Sequence, residues 1–145
     1  MSLPFQIQAL DHVALRVADP RRSAQWYAQH LGLTPWQPPE WEPFPVFLLG
    51  GPFGIALFPV QAPATVLRPH TRHFVTIDHF AFRVSLPELE AARMYFAKEE
   101  VPCQWQDHVY FQSLYLTDPD GHTVELTAPT QAWDAVAGTV LAGRG

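Results

Sequence analysis

Between Ala9 and Val17 (ALDHVALRV) strongly apolar side chains alternate with others, and the alternation returns between Thr76 and Val84 (TIDHFAFRV). A period of two sends successive side chains to opposite faces of an extended strand. His12, Ala14 and Arg16 therefore share one face. The offset is 79 − 12 = 67, and at that offset Asp11/Asp78, Ala14/Ala81, Arg16/Arg83, Val17/Val84 and Pro20/Pro87 also coincide. The chain reads as two related halves.

After each strand the period changes to that of a helix. Asp19-Pro20 opens the first, where Ala24, Tyr27, Ala28 and Leu31 form one apolar stripe before Gly32, a helix stop. Ser85-Leu-Pro-Glu88 opens the second with the spacing of a capping box; Leu89, Ala92 and Phe96 make its stripe, which should end near Val101-Pro102. Short strands follow: Val46–Leu49 and Gly54–Val60 in the first half, Gln104–Val109, Gln112–Thr117 and Thr123–Thr127 in the second. Each half is strand, helix, then about three strands. Module one spans about 7–60, a linker 61–74, module two 75–129 and a tail 130–145, all within one domain. The tail places Trp133, Val136 and Val140 at roughly helical spacing and should be a short packing helix. Pro35–Pro45 (PWQPPEWEPFP) holds five prolines and three aromatics, so neither a regular helix nor a central strand fits it. It is a stiff surface loop or a lid over a pocket.

The composition narrows the partners. The 145 residues are 48% hydrophobic and 16% charged with a net charge of −5, which suits a globular domain and excludes nucleic-acid binding by bulk positive charge. Charges interrupt the apolar runs well before the ~20 residues of a membrane-spanning helix. The N-terminus has no basic-plus-apolar leader, so we expect a soluble cytoplasmic protein with no nucleic-acid or membrane partner. Cys103 is the single cysteine; it cannot make an intrachain disulfide and should be a small buried hydrophobe.

Of the seven histidines, His12 and His79 hold equivalent places, and a pseudo-twofold packing of the halves would bring them together. Glu125 is the third candidate. The turn Asp118-Pro-Asp-Gly121 leads into Thr123-Val-Glu-Leu-Thr127, where Val124 and Leu126 share one face and Glu125 the other. A carboxylate facing the inside of a sheet is costly unless paired, hydrogen-bonded or metal-bound. Two histidines and one carboxylate with open positions form the facial arrangement used for a catalytic divalent metal. Aligning Ile55-Ala56-Leu57 with Val124-Glu125-Leu126 puts Ala56 opposite the carboxylate, so the first half offers no fourth ligand.

The repeated [LI]DHxAxRV strands, the strand–helix–three-strand halves and the closing YLTDPDGHTVEL resemble the vicinal oxygen chelate superfamily of glyoxalases, extradiol dioxygenases, fosfomycin-resistance enzymes and bleomycin-binding proteins. The resemblance runs from about Ile7 to Pro129. It implies an α+β fold in which two βαβββ modules form a cupped, barrel-like mixed sheet with flanking helices. By position His12, His79 and Glu125 match the metal ligands, for Fe, Mn, Zn or Ni. Without a carboxylate at Ala56, glyoxalase I chemistry is disfavoured. The stretch from His108 to Glu125 fits most of the extradiol dioxygenase signature, with Gln106 off-pattern. That similarity implies that Tyr115 donates a hydrogen bond to a substrate oxygen and that His108 stands behind it. The acid/base histidine of those enzymes would fall near Phe53 or Gly54; His70 or His73 could replace it only if the linker folded over the cup. The resemblance also implies a small-molecule substrate chelating the metal through two adjacent oxygens, and a homodimer.

Several residues keep two readings, Tyr115 among them, since it fits a core tyrosine as well as a substrate hydrogen-bond donor. Arg16 and Arg83 either bind an anionic substrate group or point out at a rim. Trp36, Trp41 and Phe44 line an apolar pocket or pack ordinarily. His30 and His122 are expected in solvent. The contrasting function is a metal-free binding protein of the bleomycin-resistance type, for which a retained His–His–Glu set has no obvious duty.

Overall fold

A computed structural model of the chain describes residue 4, residues 8–61 and residues 77–142. It forms two compact units, Met1–Leu67 and Arg68–Gly145, each an α+β module of the βαβββ type expected. The linker region 61–74, with His70 and His73, lies outside the described residues apart from Gln61.

In the first unit β1 (His12–Val17) leads into α1 (Pro20–Leu31), then β2 (Thr34–Trp36), β3 (Val46–Leu49) and β4 (Gly54–Pro59). The sheet order is β1-β4-β3-β2, with β1 parallel to β4 and the other pairings antiparallel. Asp19 caps α1 by accepting from the backbone N–H of Arg21 and Arg22, and Gly32 ends it at φ 67°, a conformation open to glycine at little cost. Buried Ala24 and Tyr27 press on β3 and β4, so Leu15, Val17, Val46, Leu48, Ile55 and Leu57 form the core. The strand β2 was not foreseen. It begins the proline-rich segment and is tolerated because it is the sheet's edge; the segment continues as a 3-10 turn, Pro39–Trp41.

The second unit repeats the plan with β5 (His79–Arg83), α2 (Leu86–Lys98), β6 (Cys103–Asp107), β7 (Phe111–Thr117) and β8 (Thr123–Pro129), in the order β5-β8-β7-β6. The capping box at Ser85 and Glu88 is complete. Each hydrogen bond from Ser85 to the Glu88 carboxylate favours its charged form and holds its pKa below the usual value. Leu89 and Phe96 of α2 cover Leu114, Leu116, Val124 and Leu126. The tail is helical as expected, α3 (Gln131–Ala142), with Trp133 stacked 5.1 Å from Phe111. In this unit two expectations fail. Cys103 is exposed, because it opens a strand at the sheet's β6 edge. His122 is buried, because the turn around Asp118 folds back on itself.

Candidate functional site

Strand register decides which side chains meet. In the second unit Ala81 and Tyr115 both stand level with Glu125, on either side of it. The alternation that buries Val124 and Leu126 under α2 turns Glu125, Tyr115, Ser113, Thr123 and Thr127 to the opposite face. The Asp118–His122 turn holds this register: the Asp118 carboxylate accepts from the backbone N–H of Asp120 (2.9 Å) and His122 (2.8 Å), and Gly121 turns the chain at φ 87°.

Glu125 is buried, its side chain 9% exposed, and its Oε2 lies 2.9 Å from His79 Nε2. On the far side of the same ring, Nδ1 lies 2.8 Å from Asp78 Oδ2. His79 is therefore held between two carboxylates. Tyr115 adds the next link: its ring packs edge-on against His79 at 5.8 Å, and its hydroxyl is bonded to Glu125 and lies 3.0 Å from His108 Nε2. Burial raises the phenol's pKa above 10, and the charge of Glu125 and the hydrogen bond to it raise it further, while a hydrogen bond from Ser113 pulls the other way. A phenol has one proton to give. Donated to Glu125, it leaves the oxygen to accept from the His108 Nε2–H. Asp78, His79, Glu125, Tyr115 and His108 thus form one connected polar chain, with Ser113 and Thr127 joined beside it at 3.0 Å.

The equivalent face of the first unit is built differently. His12 Nδ1 lies 2.6 Å from Asp11 Oδ1, as in the second unit, but the neighbours of His12 are rings. Phe47 meets it edge-on at 5.6 Å, Trp41 stands 6.1 Å from Phe47, and Trp36 stands 5.0 Å from Trp41. Phe47 is level with Ala56, so an aromatic ring and a methyl occupy the places of Tyr115 and Glu125. Gly54 makes room for that ring: a Cβ there would come within 2.1 Å of Phe47 Cε1. Trp36 and Phe44 remain about half exposed. These aromatics therefore form an open wall leading to His12 rather than a closed core.

Within each unit, no three His, Cys, Asp or Glu side chains gather as a ready metal centre among the described residues. His79 and Glu125 are brought together, and His12 belongs to the other unit. The Arg16 guanidinium donates to the Pro59 carbonyl at 3.1 Å and lies 5.3 Å over the Phe58 ring. Arg83 opens on a groove of about 530 Å³ at the start of α2, beside Ser85 and Pro129. His30 packs at a tilt against Trp26, 5.2 Å between ring centres, and is half-buried rather than solvated.

Comparison with known proteins settles the family. The sequence model of the Glyoxalase/Bleomycin resistance protein/Dioxygenase superfamily matches residues 9–126. The chain belongs to that superfamily. Among solved structures similar to this superfamily member, a glyoxalase/dioxygenase from Nostoc punctiforme has a TM-score of 0.72 at 18% identity, over 90% of this chain and 97% of that one. A glyoxylase/bleomycin resistance protein/dioxygenase domain from Frankia sp. EAN1pec has 0.71 at 23%, over 87% and 95%. Lactoylglutathione lyase from Agrobacterium tumefaciens has 0.65 at 22%, over 84% and 94%. At these identities the likeness is one of fold. No curated protein matches the sequence.

Three participants escaped the sequence reading. Asp11 and Asp78 precede the histidines at the same offset of 67, and the repetition of the Asp-His pair was the signal that could have found them. Phe47 carried no such mark, since its place beside His12 follows only from the register of β3 on β4.

Proposed function

We propose that the chain is a metal-dependent enzyme acting on a small molecule that presents two adjacent oxygens, with His12, His79 and Glu125 as the ligands. The observation that carries this reading is the ring of His79 between two carboxylates. A neutral imidazole has one N–H. If it serves Asp78, Nε2 keeps its lone pair with a Glu125 oxygen 2.9 Å away, and a metal ion between the two acceptors would be bound by both. The donors fit an ion. Imidazole nitrogen and carboxylate oxygen are both ligands that divalent metals such as zinc accept.

A divalent ion held there would supply Lewis-acid stabilisation of negative charge on the chelating oxygens. Iron, manganese, zinc and nickel all accept this donor set. The chain's own residues would do the rest. Tyr115, kept protonated by its surroundings, would swing its one O–H from Glu125 to a substrate oxygen and orient it, while His108 Nε2 holds the hydroxyl in place. Arg16 and Arg83 would meet anionic groups at the margins of the site. A ring-cleaving dioxygenase reaction is the finer form of this reading; a cytoplasmic homodimer is its setting.

Elemental analysis of protein prepared without chelators tests the proposal. The parent should hold metal, and His12→Ala and Glu125→Ala should lose it; variants holding as much as the parent would sink the idea. The aromatic wall of Trp36, Trp41 and Phe47 favours a second reading, a metal-free binder of ring-bearing ligands. Absence of metal together with tight binding of a cationic aromatic compound would select it.

A further inference from the structure

Both candidate histidines are gripped in the same way by the residue before them. Asp11 Oδ1 lies 2.6 Å from His12 Nδ1, and Asp78 Oδ2 lies 2.8 Å from His79 Nδ1. The two pairs recur in separate units. Neighbouring residues on a strand normally point to opposite faces. Here Asp11 and Asp78 lie just before β1 and β5, so the backbone outside the ladder is free to turn each carboxylate back onto the ring.

We propose that Asp11 and Asp78 are positioning residues that hold His12 and His79 as Nδ1–H tautomers, so that each ring offers Nε2 to a metal ion. The inference rests on the metal reading above. Its physical basis is that the hydrogen bond made by one imidazole nitrogen decides which nitrogen keeps its lone pair. Stability is a poor account of these pairs, since the Asp11 and Asp78 side chains are 84% and 70% exposed, and ion pairs open to water contribute little. Orientation needs no burial. For His79 the consequence is specific: with Nδ1–H given to Asp78, Nε2 turns its lone pair to the place where Glu125 turns its own.

The test uses ring-labelled histidine and nitrogen–proton correlation spectra of the metal-free full chain at about pH 8.5, where an ordinary imidazole is neutral. His12 and His79 should show the Nδ1–H pattern. Asp78→Ala should move His79 towards Nε2–H, which donates to Glu125, and leave His12 unchanged; Asp11→Ala should do the reverse. Asp78→Asn, which keeps an acceptor oxygen, should retain the parent pattern in part. Titration with Zn²⁺ alone should show each alanine variant binding about 10–100-fold more weakly, with the urea midpoint of unfolding unmoved. An unchanged tautomer in both alanine variants overturns the inference, as does unchanged Zn²⁺ affinity in variants whose tautomer has moved. A parent that binds no Zn²⁺ overturns the metal reading, while the spectra still decide whether the aspartates set the tautomer.

Discussion

Glu125 reaches His79 at 2.9 Å although its level neighbour on β5 is Ala81. The carboxylate leans back along the strand, over a residue with a single side-chain carbon. A larger group at position 81 would take that space. Ala81→Leu should lower Zn²⁺ affinity at least about tenfold with little change in thermal unfolding, since position 81 is exposed. Removing a proposed ligand outright, as in Glu125→Ala or His79→Ala, should cost more than the ~100-fold that supporting residues cost. Competition against a coloured chelator measures both. An Ala81→Leu variant with parental affinity would show that the carboxylate does not need that room.

The Tyr115 phenol should titrate late. Burial, then the charge and hydrogen bond of Glu125, raise its pKa above the ordinary value near 10. The native state therefore holds this proton more tightly than the unfolded chain does. The resulting stability is fully present below about pH 10 and is lost as pH rises through the raised value. NMR of ring-labelled tyrosine should show Tyr115 deprotonating above a free tyrosine, and Glu125→Gln should bring it back down. No downward movement in that variant would remove Glu125 from the account.

Gly54→Ala should destabilise the first unit by about 1–3 kcal/mol, the usual cost of overpacking. The added Cβ would meet Phe47 Cε1 at 2.1 Å and the Leu48 carbonyl oxygen at 3.0 Å. The ring cannot simply swing away, because His12 and Trp41 stand against it. Urea unfolding measures the loss. A loss below about 0.5 kcal/mol, within the range of ordinary surface substitutions, would mean that the ring finds another seat.

Val109 carries a φ of 70° beside His108, a strained conformation for a β-branched residue. Its backbone N–H donates to Asp107 at 2.8 Å, and its carbonyl accepts from the Thr130 hydroxyl at 2.7 Å. Val109→Gly should therefore be neutral or stabilising, against the usual penalty for glycine. Asp107→Ala should do the opposite by freeing the loop. Thermal unfolding of the pair checks the sign of each.

The residue pattern carried the module plan because repetition, alternation and capping are local. Asp19, Gly32, Ser85 and Glu88 act within a turn or two of themselves, and the helices began at the expected places. Glu125 was legible as an inward carboxylate because Val124 and Leu126 flank it. What one strand owes to another was harder to read. The contact of Phe47 with His12 depends on the β3–β4 register, and β2 was hidden because proline argues against strands except at edges. Cys103 was misread for a related reason: residue type suggested burial, and position at a sheet margin decided otherwise.

The two units share one frame, yet Ala56 and Phe47 stand in the first where Glu125 and Tyr115 stand in the second. Such a split separates what can drift from what cannot. Trp36, Trp41 and Phe47 lie in one unit and the acid–histidine chain from Asp78 to His108 in the other, so substitutions along the aromatic wall leave the packing of that polar chain untouched.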